Sequence, residues 1–205
     1  RPAVPGTKVR GVARQALAWQ VTAYMGLQSL GFYSASAWFA SIFIDRGWSP
    51  TAAGALVSVV SVTGLLGGIG APLLGARSRD QRRLSLAITL LGAAGIGLVL
   101  VPGLEIVACV LAGVSFGAAL GLALIYMGLR SPDAAHAAQL SGMAQCIGYA
   151  VAAMGPFVVG ALHDLTDGWT VPLIVLLVLY VPQGIAGWLA GRNRQLVRSD
   201  VEPVA

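Results

Sequence analysis

The sequence predicts an all-α membrane protein that crosses the bilayer six times. Three observations predict it. The first is a set of six stretches that contain no Asp, Glu, Lys or Arg: 15–44, 47–76, 84–104, 106–129, 134–163 and 168–191. Each exceeds the roughly 20 residues that an α-helix needs to cross the hydrocarbon core. The second is composition. Hydrophobic residues make up 57% of the chain, charged residues 10%, and mean hydropathy is +0.78. A soluble domain carries about 25% charged residues, and this chain lacks the polar surface to wet its apolar part. The third is where the charges lie. Arg1, Lys8, Arg10 and Arg14 precede the first stretch. Arg77, Arg79, Arg82 and Arg83 follow the second, Arg130 follows the fourth, and Arg192, Arg194 and Arg198 follow the sixth. On a six-span path, 12 of the 13 basic residues fall on one side, and only Arg46 falls on the other. Insertion retains Lys and Arg in cytoplasmic loops, so both termini are expected in the cytoplasm. The net charge of +5 does not point to nucleic acid, because basic residues divided among inner loops make no single face on a polar domain. They suit the negative cytoplasmic leaflet instead.

Taken in order, residues 1–14 read as a cytoplasmic linker. The Pro- and Gly-containing segment Arg1–Gly6 suggests a cut through a longer chain, of which this is one half. The first span is expected at about 17–44, with Asp45–Trp48 as a short outer turn. Ser49–Pro50 has the form of an N-cap followed by a first-turn proline and opens a second span to about 75. The basic tract Ala76–Arg83 forms the inner loop. A third span at about 84–101 ends at Pro102–Gly103, a tight outer turn. The fourth covers about 104–129. Ser131–Pro132 again resembles an N-cap and first helical position, from which a helix could run along the inner surface into a fifth span at about 140–162. His163–Trp169 is the next outer turn, the sixth span covers about 171–190, and 192–205 is a cytoplasmic tail. No strand-like alternation is visible.

Inside the spans, Gly64 and Gly68 form a GxxxG pair, and Gly113, Gly117 and Gly121 recur at steps of four. Such rows let helix backbones approach closely. Pro72, Pro156 and Pro182 interrupt backbone hydrogen bonding within their spans. Cys109 and Cys146 read as small apolar packing residues with no disulfide between them.

Chemistry-bearing residues are few. Glu105 reads as a solvated carboxylate at the outer start of the fourth span, facing the helix dipole. His136 in the inner loop and His163 at the outer end read as solvated, since no metal-ligand spacing surrounds either. No cofactor, metal site or catalytic constellation is expected, and an enzyme is disfavoured. What remains are neutral polar stripes: Gln20, Tyr24 and Gln28 every four residues in the first span, then Tyr33, Ser34, Ser36 and Trp38, and Ser141, Gln145 and Tyr149 every four in the fifth. Side chains four apart stay nearly aligned on a helix. Two such stripes do not sit comfortably against lipid. They either bond between helices or line a wet face that meets a solute. Trp38, Trp48 and Trp169 read as interfacial aromatics.

Several segments resemble a known family. Pro72–Arg83, PLLGARSRDQRR, is similar to the basic loop between the second and third helices of a major facilitator superfamily half, with Ala76 in place of Gly and Gln81 in place of a basic residue. Gly26–Trp38, Gly47–Gly54 and Leu129–Gly160 resemble the cyanate and 2-nitroimidazole transporter family. The resemblance covers nearly the whole chain. It implies the C-terminal six-helix half of a major-facilitator-type bundle, built as a 3+3 inverted repeat. It also implies a small-molecule substrate bound near mid-membrane, alternating access, an N-terminal six-helix half in the same or a partner chain, and a bacterial plasma membrane. Gln28, Tyr33, Gln145 and Tyr149 are then the substrate-binding candidates. Asp80, Arg82, Arg83 and Pro156 are the conformational ones. The competing expectation is a multi-span protein that transports nothing, such as a sensor, an anchor or an assembly partner.

Overall fold

The computed structural model describes residues 8–9, 11–198 and 201–202. Arg1, Arg10, the expected Arg1–Gly6 linker and the end of the tail lie outside the described residues. Six long helices follow one another: α1 (Ala16–Asp45), α2 (Pro50–Ala76), α3 (Arg82–Val99), α4 (Glu105–Leu129), α5 (Ala134–Thr166) and α6 (Thr170–Ala190). A single 3-10 turn, Val12–Arg14, leads into α1. Near the termini, β1 (Lys8–Val9) and β2 (Val201–Glu202) pair antiparallel over two residues each. This small ladder has no signature in the sequence, because two residues are too few to show alternation.

Five of the helices, α2 to α6, are long and apolar enough to cross a membrane. The first helix is the exception among the six predicted spans: it is 30 residues long but diluted by its polar stripe. Its packing accounts for this. α1 lies against α2, α4, α5 and α6, and buries Tyr24, Gln28, Ser29 and Ser34 among them, so much of its polarity is withdrawn from lipid. α4 is the other enclosed helix, packed on α2 and α3 and touching α1 and α5. α3 and α6 pair on one flank of this centre.

The helix starts follow local chemistry. Ser49 caps α2, its Oγ accepting the Ala52 N–H at 3.3 Å, with Pro50 in the first turn. At α5 the expected start at Ser131–Pro132 is displaced. The cap is Asp133, which accepts the His136 N–H at 3.0 Å. Ser131 donates back to the Met127 carbonyl at 2.8 Å and so ends α4. Pro72, Pro156 and Pro182 all lie inside helices.

Glycine sets the closest approaches. Gly64 and Gly68 of α2 face Gly113, Gly117 and Gly121 of α4. A Cβ at Gly121 would lie 2.7 Å from the Pro72 ring and 2.9 Å from the Gly68 carbonyl. α1 and α5 meet in the same way at Gly26 and Gly148. Between lipid tails no hydrophobic force drives helices together, so this backbone-to-backbone dispersion supplies much of the association. Both cysteines are free, Cys109 buried and Cys146 exposed.

The two ends of the bundle are closed by polar contacts. At the end that gathers the Arg residues of the inner loops, Arg130 is 2% exposed. It donates to the Ala190 carbonyl at 2.7 Å, to the Gly191 carbonyl at 3.2 Å and to Gln81 Oε1, and its guanidinium covers the Tyr126 ring. His136 is fully buried rather than solvated, with Nδ1 2.8 Å from Asp133 Oδ1. At the opposite end Glu105 is buried rather than wet, 3.9 Å from the Arg46 guanidinium, which also bonds the Val99 carbonyl. His163 is half-buried, its ring 3.9 Å from that of Trp169, whose indole donates to Asp45 at 2.7 Å. Glu105 and His163 are thus covered by the ends of neighbouring helices, at Arg46 and Trp169, where their own segments would have left them in water.

Candidate substrate cavity

The buried apolar residues form two clusters, one toward each end of the bundle. The first includes Met25, Ala118 and Leu122, the second Ala35, Phe39 and Phe116. Between their levels, at mid-height of the long helices, lies a cavity of about 480 Å³. Four helices build it. α1 contributes Gln28, Ser29, Phe32 and Tyr33. α2 contributes Ser61, Gly64, Gly68 and flanking aliphatics, α4 contributes Phe116, Gly117 and Gly121, and α5 contributes Tyr149. The glycines that join α2 to α4 thus also shape one wall, because without side chains they leave space beside the helix contact.

Three of the four substrate-binding candidates meet here. Gln28 is buried, and its amide nitrogen donates to Ser29 Oγ at 2.6 Å and lies 3.5 Å from Met25 Sδ. Its carbonyl oxygen accepts no hydrogen bond among the described residues. Tyr33 and Tyr149 are 43% and 39% exposed and meet edge to face, ring centres 6.3 Å apart. Phe32 continues this rim, packing edge-on against both Tyr33 and Phe116. A second hollow shares the two tyrosines and extends along Ser36, Ala153 and Pro156. The Pro156 carbonyl accepts the Trp38 indole N–H at 2.9 Å, so Trp38 holds α1 against α5 and is more than an interfacial aromatic.

Gln145 is not brought to the cavity. It is half-buried one turn from Tyr149, and its amide donates to Ser141 Oγ at 2.7 Å on its own helix. The first-span stripe likewise divides among three surroundings. Gln20 accepts from Arg192 at 3.1 Å, Tyr24 packs against Tyr126 with ring centres 5.7 Å apart, and only Gln28 reaches the cavity. A four-residue step on a 3.6-residue helix turns the face by about 40°, which over two steps carries a side chain to a different neighbour.

The conformational candidates lie at the Arg-rich end, except Pro156. Asp80 holds Arg82 by a 2.8 Å ion pair and accepts both its Nε–H and its backbone N–H. These bonds draw the Asp80 carboxyl below the usual carboxylate range. Arg83 is exposed and has no partner among the described residues. Sequence reasoning missed two residues of this end, Gln81 and Arg130. The signal was present: Gln81 replaces a basic residue of the family loop, and a neutral amide there can accept from Arg130 instead of repelling it.

The cavity wall carries no ionisable side chain apart from tyrosine. It offers aromatic faces and edges, two phenol hydroxyls and an amide oxygen. That set can hold a small planar or polar molecule, and it brings no cation to an anionic one.

Sequence comparison agrees with the architecture. No family model matches the chain. Over 188 residues, 91% of the chain, it is 38% identical to the 2-nitroimidazole transporter of Escherichia coli (strain K12), of which the match covers 48%. Over 187 residues, 90% of the chain, it is 38% identical to the uncharacterised transporter YycB of Bacillus subtilis (strain 168), of which 46% is covered. Similarity to the cyanate transport protein CynX of Escherichia coli (strain K12) is 27% over 154 residues, 74% of the chain and 40% of that protein. The chain spans about half the length of the curated relatives it matches.

Proposed function

We propose that this chain, similar over nine-tenths of its length to the 2-nitroimidazole transporter and more distantly to the cyanate transport protein, forms the C-terminal six-helix half of a major-facilitator-type secondary transporter. The solute is a small polar molecule or weak acid, cyanate-like or nitroimidazole-like. It binds in the cavity bounded by α1, α2, α4 and α5, facing an N-terminal six-helix half of the same or a partner chain. The two halves rock about it to open each side in turn. The observation that carries this reading is the neutral, aromatic-edged cavity at mid-height, where Gln28, Tyr33 and Tyr149 converge from two helices. Tyr33 and Tyr149 stack on or bond to a planar solute, and Gln28 accepts from it. The charge of an anionic solute is met by the other half. Gln145 joins the contact in another state of the cycle. At the cytoplasmic end the Asp80–Arg82 pair, with Arg83, biases the conformational balance, and Pro156, which brings no backbone donor to α5, lets that helix bend.

The test is uptake of labelled nitroimidazoles and small weak acids by the full-length protein in liposomes, with binding measured on the purified protein. Gln28→Ala, Gln145→Ala and Tyr149→Phe weaken substrate affinity while folding is retained. Asp80→Asn slows transport at near-normal abundance in the membrane. Dissociation constants unchanged in all three variants would remove these residues from the site. Absence of uptake across the whole panel would refute the transporter reading for these solutes.

A further inference from the structure

On the flank opposite the cavity, α3 and α6 leave a long groove of about 680 Å³ between them. Its wall is aliphatic, from Leu90, Val181 and Ile185, each more than half exposed. Thr89 and Tyr180 are its polar members, and Thr89 turns its hydroxyl onto the Ser85 carbonyl. Gly184 keeps the groove open at mid-length, where a side chain would fill it. The groove runs toward the Arg-rich end and finishes at Trp188, which lines both this groove and a second hollow, of about 430 Å³. That hollow is polar and is formed by Ser78, Asp80, Arg82 and Arg83 around the same tryptophan.

The charges of the polar hollow do not cancel. Asp80 is matched by Arg82, whose guanidinium also lies over the Trp188 ring at 5.2 Å. Ser78 is engaged with the Asp80 backbone. Arg83 is left over, exposed, with no acceptor among the described residues. A narrow apolar slot that opens at a membrane-surface tryptophan into a hollow with one uncompensated guanidinium has the chemistry of a lipid with a negative head. The slot fits an acyl chain, the indole sits at headgroup level, and the guanidinium meets a phosphate. We propose that the α3–α6 groove and the Arg83 hollow together bind one anionic phospholipid, a chain lying along Gly184 and the phosphate on Arg83 beside Trp188. The inference rests on the membrane setting of the helices and not on the transported solute, so it stands or falls apart from the cavity.

The test is native mass spectrometry of the intact protein, purified in detergent and titrated with phosphatidylglycerol, phosphatidylethanolamine and phosphatidylcholine of identical chains. One phosphatidylglycerol is expected to be retained in preference to the other two. Arg83→Gln reduces that preference by roughly fivefold, the worth of one arginine near an anionic membrane surface. Gly184→Leu, which fills the groove, lowers retention of the same lipid. Arg79→Gln, a neighbouring surface arginine outside both hollows, leaves the preference intact. Equal retention of the zwitterionic lipids would overturn the proposal, as would an equal loss with Arg79→Gln, which marks diffuse attraction rather than a site. Full displacement by soluble glycerol 3-phosphate would also overturn it, since the groove would then contribute nothing. A lipid-free pair of protein copies that Gly184→Leu dissociates would give the groove to self-association and refute it.

Discussion

Gly117 gives the sharpest test of how the cavity wall is built. A Cβ at this position would lie 2.6 Å from the carbonyl carbon of Gly64 and 2.9 Å from its Cα, with the carbonyl oxygen nearer still. These atoms belong to a helical backbone, so no rotamer change relieves the contact, and α2 and α4 must separate. Overpacking of this kind costs about 1–3 kcal/mol. The preference of a helix for Ala over Gly returns about 0.5–1 kcal/mol. Gly117→Ala should therefore lose up to about 2.5 kcal/mol net, which for a chain of this size lowers the melting temperature by up to about 10 °C. Gly70 is the control. It lies in α2 with nothing within 4 Å of its Cβ position, so Gly70→Ala keeps only the helix-propensity gain and should melt about 1–4 °C higher. Both substitutions add one methyl group, and the gap between them isolates the helix contact. Tryptophan fluorescence during heating of the detergent-purified protein measures it. If Gly117→Ala melts with Gly70→Ala, above the wild type, α2 and α4 are not in backbone contact, and the reasoning about the cavity wall fails.

Arg130→Met deprives Gln81 and the two carbonyls at the end of α6 of their buried donor, and should cost at least about 2 kcal/mol in the same melting assay. Arg130→Lys should not restore it, because one ammonium cannot reproduce the planar fork, and a wild-type melting point for the Lys variant would refute that geometry. The Asp133 carboxyl is held at about 2, first by the His136 backbone N–H and then by its ring. A value lowered by folding adds stability that is present above the ordinary carboxylate range and is lost as pH falls toward the folded value. The melting gap between wild type and Asp133→Asn should thus be full at neutral pH and shrink between about pH 4 and pH 2, and a gap that widens with acid would contradict it. For topology, single cysteines at positions 80 and 167, in a background without Cys109 and Cys146, should react with an impermeant reagent in intact cells only at 167, and the reverse pattern would invert the assigned orientation.

Much of the cavity could be read from α1 and α5, where Gln28, Tyr33 and Tyr149 stand out as polar or aromatic residues in uncharged helices. The contribution of α2 and α4 could not. Gly64, Gly68, Gly117 and Gly121 advertise close packing in the sequence, but whether that packing faces a neighbour, a void or lipid depends on which helix arrives. The same uncertainty separated Gln145 from Tyr149, since helical spacing aligns two side chains without naming what they meet. His136 and Glu105 were misjudged because each was read from its own segment alone: both are buried in the fold, Glu105 beside Arg46 from the end of α1.

By itself, the sequence determined six helices, their order and the division of charge between the two ends, because a hydrocarbon core tolerates neither unpaired backbone groups nor charge and imposes both rules locally. Only the tertiary structure decided which polar residues are paired and which are left to line a cavity. Gln81 and Arg130 are 49 positions apart, Arg130 and Gly191 are 61 apart, and Trp38 and Pro156 are 118 apart. Lipid and protein interior are about equally apolar, so hydrophobicity cannot tell a buried helix face from an exposed one. The close approach of small residues and the long-range matching of donors to acceptors make that choice.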